Sequence, residues 1–137
     1  IKNFIITISD GFSSFYGKDF RLRKEFEKIG FSALNFTDSR GVFQYYHLAD
    51  LWDDITLARE NNVKLVNLAV EPVTIAEVYE SLEQKSFKNE VAVNPPVFDF
   101  KTIHCRLWGR TDGYIKGKNQ VLSEIKAFVE SQRISKV

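Results

Sequence analysis

Cys105 has the most reactive type of side chain in this sequence, and it stands directly after His104. A cysteine nucleophile needs a base that faces the same target. Successive side chains of a helix project about 100° apart, so this histidine and this cysteine do not converge on one target. We therefore interpret Cys105 as a small buried or half-buried thiol. His47, His104 and the scattered acids show no spacing typical of a metal site, so no metal ligand is predicted.

The clearest predicted element that positions side chains is a helix that begins near Leu48 and ends at Asn61-Asn62. Its apolar residues recur at the spacing of one helical face, which predicts that they point inward: Leu48, Leu51, Trp52, Ile55 and Ala58. The acidic residues mostly fall elsewhere on the helix: Asp50, Asp53, Asp54 and Glu60. The segment that precedes this helix, Val42 to Tyr46, is rich in residues that favour strands.

A second helix begins after Pro72-Val73-Thr74, because Thr74 and Glu77 have the spacing of a capping box. Other segments have weaker patterns: a strand or helix end within residues 1–16, a helix over 21–29 stopped by Gly30, an extended segment over 31–36, a turn over 37–41, a buried strand over 63–69, and helices over 99–108 and 118–132. In the last helix, Val121, Leu122, Ile125, Phe128 and Val129 are expected to face inward. Together these elements predict a compact mixed α/β unit.

Length and composition restrict the function classes. The 137 residues fit one ordinary domain, with 44% hydrophobic and 27% charged residues. Nineteen basic and eighteen acidic residues give a net charge of +1, which provides no electrostatic reason to expect nucleic acid or a membrane surface as a partner. The single cysteine indicates a reducing compartment, so we expect a cytoplasmic protein. No apolar run approaches the roughly 20 residues of a membrane span.

The sequence begins at Ile1 and contains no methionine. Two interpretations are open: the chain is a piece of a longer protein, or methionine positions, as selenomethionine, are missing from it. In the second case some spacings are wrong by one residue. We therefore treat residues 1–137 as either a single domain or a fragment.

The segment from Phe43 to Tyr79 carries a resemblance to a known family. Tyr46-His47-Leu48-Ala49-Asp50-Leu51 is similar to the "DFIHVDDVA" segment of extended short-chain dehydrogenases, the NAD-dependent epimerase/dehydratase family that acts on nucleotide sugars. Val66-Asn67-Leu68-Ala69 resembles the "YNIGSG" strand that follows, and Thr74-Ile75-Ala76-Glu77 resembles the helix start "TSVAEL". The resemblance extends over residues 31–131. It implies the C-terminal, substrate-binding half of such an enzyme, without the complete Rossmann domain.

The cofactor and catalytic motifs of that family are missing from this chain. None of the seven glycines forms the G-x-x-G-x-x-G pattern that holds NAD, so NAD(P) is implied only for the parent protein. Tyr114 and Lys118 match the family's Tyr-x-x-x-Lys pair by letter. However, Gly117 lies between them, the segment indicates a turn, and the family's pair precedes the His47 segment. No catalytic residue is therefore assigned.

The resemblance also implies which residues bind substrate. Its histidine segment helps to shape the substrate side and carries a nearby arginine toward the sugar-nucleotide phosphates. Phe43 occupies the usual arginine position, and Arg40 is the nearest substitute, whose guanidinium could grip a diphosphate. A second phosphate-binding arginine is expected near Arg106 or Arg110. We predict Arg40, His47, Arg106 and Arg110 as substrate-binding residues; the simpler alternatives are solvated arginines, charges near a helix C-terminus and a structural histidine at a helix start.

These observations predict the substrate-side portion of an NAD-dependent nucleotide-sugar epimerase/dehydratase, inactive as an isolated chain. Its partners would be a nucleotide sugar and the missing Rossmann half or a second copy of the chain. One alternative is a free-standing, non-catalytic ligand-binding or protein-interaction module. Another is an unrelated small α/β enzyme that uses Cys105 or the Tyr114–Lys118 pair.

Overall fold

The regular structure consists mainly of helices joined by long irregular segments. The structure, a computed structural model, describes residues 25, 26 and 28–134. It contains helices α1 (Leu51–Glu60), α2 (Ile75–Glu83) and α3 (Lys118–Ile134), strands β1 (Val42–Phe43) and β2 (Val73–Thr74), and 3-10 helices at Ala33–Phe36, Leu48–Asp50 and Cys105–Trp108. The described chain is therefore a small mixed α/β unit, as predicted. The prediction for residues 1–16 lies outside the described residues.

The two strands form a short antiparallel sheet in which Val42 pairs with Thr74 and Phe43 with Val73. Val42 also forms a parallel bridge with Val97 on its other side. In that bridge the Val42 amide donates to the Pro96 carbonyl at 2.9 Å, and the Phe98 amide donates to the Val42 carbonyl at 3.0 Å. The strand predicted over 42–46 is thus confirmed only for its first two residues.

After the backbone pairing of β1 ends at Phe43, the side chain of Gln44 hydrogen-bonds to the neighbouring backbone segments. Its Nε2 donates to the carbonyl oxygens of Val70 at 2.6 Å and Phe100 at 2.8 Å. Its Oε1 accepts the Phe100 amide at 2.7 Å. One side-chain amide therefore joins three segments of the chain, because it offers both donors and an acceptor as a peptide group does.

Helix α2 begins as the sequence predicts. The Thr74 hydroxyl accepts the Glu77 amide at 3.1 Å, and the Glu77 carboxylate accepts the Thr74 amide at 2.7 Å. These reciprocal bonds form the capping box and satisfy two amides that the helix itself leaves unpaired. The helix ends at Glu83 and is capped by Gln84, which adopts the left-handed conformation with φ of 54°.

The hydrophobic core lies where α2 and α3 meet the segments that precede them. Its buried members are Val70, Val73, Val78, Ile115, Val121 and Ile125. The inward positions predicted for α3 are confirmed for Val121, Ile125 and Val129, whereas Phe128 is exposed. No helix within the described residues is long and apolar enough to cross a membrane.

Helix α1 lies within the predicted extent, but of the five residues predicted to face inward only Ala58 is buried. Leu48 and Trp52 are 75% and 70% exposed, whereas Asp54, which was not predicted to face inward, is buried. Hydrogen bonds explain this orientation. The Asp54 carboxylate accepts hydrogen bonds from Tyr46 and Trp108, so the face of the helix that carries Asp54 points toward the interior. Its apolar side remains on the surface.

Three other local predictions are also wrong. Residues 33–36 form a 3-10 helix instead of an extended segment, residues 63–69 form no strand, and only Cys105–Trp108 of the helix predicted over 99–108 is helical. Residues 99–104 are not helical because their backbone amides bond to distant partners. The Phe100 amide donates to Gln44 Oε1, and the Thr102 amide donates to the Gly113 carbonyl at 2.8 Å. The turn over 37–41 is confirmed by its turn at residues 39–40, and Gly30 follows helical residues 25, 26 and 28 with φ of 68°.

Candidate functional site

A buried lysine joins the start of the α1 region to α3. The Lys116 ammonium donates to both oxygens of Glu124, at 2.9 and 3.0 Å, and to the Asp50 carboxylate. Only 7% of the Lys116 side chain is exposed, against 41% for Asp50 and 21% for Glu124. Asp50 ends the 3-10 helix that leads into α1, and Glu124 lies on α3. The lysine therefore clamps two elements that the sequence separates widely.

Lys116 and Asp50 each shift the pKa of the other toward its charged form. Burial alone would lower the pKa of Lys116, but the hydrogen bonds to Asp50 and Glu124 outweigh it and raise that pKa. The hydrogen bond from Lys116 lowers the pKa of Asp50. Both groups are therefore charged at neutral pH, and one ammonium faces two formally negative carboxylates.

His47 completes what we call the His47 cluster: His47, Asp50, Lys116 and Glu124. His47 precedes the 3-10 helix Leu48–Asp50, and its Nδ1 lies 3.5 Å from Asp50 Oδ2. The ligand atoms of His47, Asp50 and Glu124 all lie within 4.8 Å of one another, a separation that three ligands of one metal ion can have. The Lys116 ammonium, however, already bonds to both carboxylates and so takes the place of a bound cation.

A second hydrogen-bonded group supports the cluster from the inside. The Tyr46 hydroxyl donates to Asp54 Oδ2 at 2.5 Å, and Trp108 Nε1 donates to Asp54 Oδ1 at 2.7 Å. The Lys116 ammonium lies 5.4 Å from the centroid of the Tyr46 ring, within the range of a cation–π contact. Burial, followed by the bond to Asp54, raises the pKa of Tyr46, so its phenol remains protonated. These contacts fix the residue that directly precedes His47.

Arg40 lies in a different network. Its Nε and Nη2 donate to the two oxygens of Asp38 at 3.0 and 2.8 Å, Nη1 donates to Glu90 at 3.2 Å, and Nη2 also donates to the Ala92 carbonyl at 2.6 Å. The hydrogen bond to Asp38 raises the pKa of Arg40. The guanidinium thus holds the turn at residues 38–41 against residues 90–92.

The other two predicted arginines differ in their partners. Arg110 forms an ion pair with Asp112 and lies 3.6 Å from Glu71. It also lies against Gly117, where an added Cβ would come within 2.6 Å of its Nη1. Arg106 is exposed, and no residue in the described part of the chain pairs with its side chain. None of the three predicted arginines shares a hydrogen bond or ion pair with the His47 cluster among these residues.

Tyr114 and Lys118 do not form a working pair. The Tyr114 hydroxyl donates to Asp99 Oδ1 at 2.5 Å, whereas Lys118 donates to Glu77 Oε1 at 2.8 Å. Burial, together with the bond to Asp99, raises the pKa of Tyr114 to about 12. A tyrosine that transfers protons near neutral pH needs the opposite shift. Cys105 is buried, as its sequence context indicated.

The sequence did not identify Lys116, Glu124 or Asp54 as residues of the site. Lys116 bonds across 66 residues to Asp50, and Trp108 bonds across 54 residues to Asp54. Contacts between residues so far apart in sequence cannot be predicted from the spacing of neighbouring residues. The only available signal was a lysine directly after the apolar pair Tyr114-Ile115, where a charge is expected to be exposed unless it has partners.

Comparisons with known proteins identify no relative of this chain. A scan against models of protein families finds no match, and searches of curated proteins and of solved structures find none either.

Proposed function

We propose that this chain is the substrate-side portion of an NAD-dependent nucleotide-sugar epimerase/dehydratase and that it binds the sugar nucleotide. The observation that carries the proposal is the His47 cluster. Two of its four residues, His47 and Asp50, lie in the segment that carries the resemblance, and it combines a partly exposed histidine with a carboxylate that a buried lysine holds in place. Fixed polar groups of this kind give a ligand site its orientation and specificity.

The proposal assigns no catalytic step to these 137 residues. The raised pKa of Tyr114 and the separate partners of Lys118 support this assignment. NAD(P) and the proton-transfer groups would belong to a Rossmann half of the parent protein, and the isolated chain would be inactive. The whole enzyme would act in the cytoplasm, in keeping with the single buried cysteine.

The exposed apolar side of α1 supports a partner for this unit. Leu51, Trp52 and Ile55 of α1 and Leu48 just before it are exposed apolar residues at the spacing of one helical face, and we call these four residues the stripe of α1. Apolar residues exposed together are typical of contact sites. In the proposed enzyme the stripe would pack against the Rossmann half, or against a second copy of this chain.

Isothermal titration calorimetry tests the ligand. We expect the wild-type chain to bind UDP-glucose or another nucleoside diphosphate sugar and not NAD. His47→Ala should weaken this binding, whereas His104→Ala, the only other histidine substitution that the chain offers, should leave it unchanged. Absence of binding across UDP-glucose, GDP-mannose and dTDP-glucose would contradict the proposal.

Arginine substitutions test the phosphate contacts separately. Arg106→Ala should weaken nucleotide-sugar binding about tenfold if the exposed guanidinium meets the diphosphate, since a hydrogen bond to a charged group contributes about 1.5 kcal/mol or more. Arg110→Ala tests the neighbouring position in the same way. Arg40→Ala gives the same loss only if Arg40 exchanges its bonds to Asp38 and Glu90 for the ligand; unchanged affinity would remove Arg40 from the site.

A second candidate is a free-standing, non-catalytic interaction module, which the exposed stripe of α1 also favours. This candidate predicts a stable fold, no affinity for nucleotide sugars, and self-association or partner binding through α1. Light scattering after size-exclusion chromatography, on the wild type and on Trp52→Glu, would detect association through that stripe. A monomer at all concentrations that binds UDP-glucose would contradict the second candidate.

A further inference from the structure

We propose that His47 recognises the uncharged, hydroxyl-rich part of a ligand through Nε2, and that the His47 cluster disfavours phosphate. The inference deepens the proposed function, on which it rests, by assigning the sugar to one place in the site. It differs from the expectation that the histidine segment and the phosphate-binding arginine act together. Charge and hydrogen-bond direction each support it.

The charge of the cluster disfavours an anion. Asp50 and Glu124 bring two negative charges, and Lys116 offsets only one of them while it bonds to both. The start of a helix would normally attract an anion. Here Asp53 and Asp54 already occupy the first turn of α1. A phosphate that approached His47 would therefore meet excess negative charge.

The hydrogen-bond direction at His47 favours a donor on the ligand. A carboxylate only accepts hydrogen bonds, so Asp50 stabilises a proton on the nitrogen that faces it, which is Nδ1 at 3.5 Å. In the neutral ring the other nitrogen, Nε2, is then an acceptor. No residue within the described chain hydrogen-bonds to Nε2, and 34% of the side chain is exposed. Sugar hydroxyls donate to such an acceptor, whereas phosphate at neutral pH offers few donors.

Lys116 fixes the orientation of the Asp50 carboxylate relative to His47. Because its ammonium holds Asp50 and Glu124 together, Asp50 cannot rotate freely away from His47. The partly exposed Asp50 carboxylate also remains able to accept a second sugar hydroxyl. The cluster thus presents two kinds of acceptor, His47 Nε2 and the Asp50 carboxylate, to a ligand that carries several hydroxyls.

Side-chain NMR of the two histidines tests the inference on the intact chain. The ¹⁵N and ¹H resonances of His47 and His104 would be recorded at pH 8, where an ordinary histidine is neutral, and assigned with His47→Gln and His104→Gln. D-glucose and sodium pyrophosphate would then be titrated separately at constant ionic strength. We expect the Nδ1–H tautomer at His47, and saturable shifts of its Nε2 resonance with glucose but not with pyrophosphate; His104 serves as the internal control.

Three NMR results would overturn the inference: a His47 tautomer with the proton on Nε2, pyrophosphate shifts equal to the glucose shifts, or glucose shifts no larger at His47 than at His104. Calorimetry with UDP-glucose and UDP separates this inference from the proposed function. Glucose shifts at His47 without UDP-glucose binding would support the sugar site and contradict the nucleotide-sugar proposal. If UDP-glucose binds, His47→Gln should weaken it at least fivefold and leave the affinity for UDP within twofold; equal losses for both would overturn the sugar assignment.

Discussion

Replacing Lys116 with methionine tests the clamp on which the candidate site depends. Methionine has similar length and packs well, but it cannot donate to Asp50 or Glu124. Two carboxylates would then face each other without the ammonium that separates them. We expect a clear loss of stability and a weakened attachment of the 3-10 helix Leu48–Asp50 to α3.

The magnitude follows from the exposure of the three groups. Removing one partner of a buried ion pair costs about 3–5 kcal/mol when the remaining charge stays buried. Here Asp50 and Glu124 are 41% and 21% exposed and can gain water after the substitution. We therefore expect a loss of about 2–3 kcal/mol. For a chain of this length, an unfolding entropy near 0.3 kcal/mol/K converts that loss into a melting temperature lower by about 7–10 °C.

Urea denaturation followed by tryptophan fluorescence measures the loss directly. The exposed Lys85→Met is a matched control and should change the free energy of unfolding by less than about 0.5 kcal/mol. A Lys116→Met variant that falls in the same range as the control would refute the reasoning, because it would mean that the clamp adds nothing to stability.

The pKa shifts of Lys116 and Asp50 also predict the direction in which stability changes with pH. The folded pKa of Lys116 is raised, so its contribution is complete below the unfolded value of about 10.4 and is lost as the pH rises through the folded value. The folded pKa of Asp50 is lowered, so its contribution is present above about pH 3.9 and is lost as the pH falls through the folded value. Wild type should therefore lose stability at both extremes, and Lys116→Met should lack the alkaline decline that this lysine causes.

Three further substitutions give separate expected outcomes in the same urea assay. Thr74→Ala should cost about 1 kcal/mol, because it removes the acceptor for the Glu77 amide; no change would mean that the capping box adds nothing. Trp52→Ala should stay within about 0.5 kcal/mol of wild type, since the side chain is largely exposed, and a core-sized loss would contradict the orientation of α1. Trp108→Phe should cost about 1–3 kcal/mol by removing a donor to the buried Asp54; a neutral result would show that Asp54 finds another donor.

What could be predicted from the sequence depended on how far apart the interacting residues lie. The capping box was predictable because Thr74 and Glu77 are three residues apart and their bonds are local. The end of the helix that precedes Gly30 and the position of α3 were predictable for the same reason. Local signals located these helices: the capping box for α2, helical composition and a glycine stop for the helix before Gly30, and apolar periodicity for α3.

The orientation of α1 could not be predicted from periodicity. The pattern placed Trp52 inward and Asp54 elsewhere, because it treats tryptophan as apolar and aspartate as exposed. In the structure Asp54 is buried because Tyr46 and Trp108 supply donors, and Trp108 is 54 residues away. Lys116 and Glu124 of the His47 cluster were not identified for the same reason, since Lys116 bonds to Asp50 across 66 residues. Polar burial follows from tertiary partners, which a single sequence does not display.

Gln44 has a consequence for the association state of the protein. Val97, Phe98 and Phe100 are exposed on the segment beside β1, and the rings of Phe98 and Phe100 stack with centroids 6.2 Å apart. An apolar sheet edge with unpaired amides is a template for intermolecular strand pairing and aggregation. Gln44 binds both the amide and the carbonyl of Phe100, so this edge offers a neighbouring chain fewer free backbone groups. We therefore expect the glutamine to reduce edge-to-edge pairing at this exposed apolar segment.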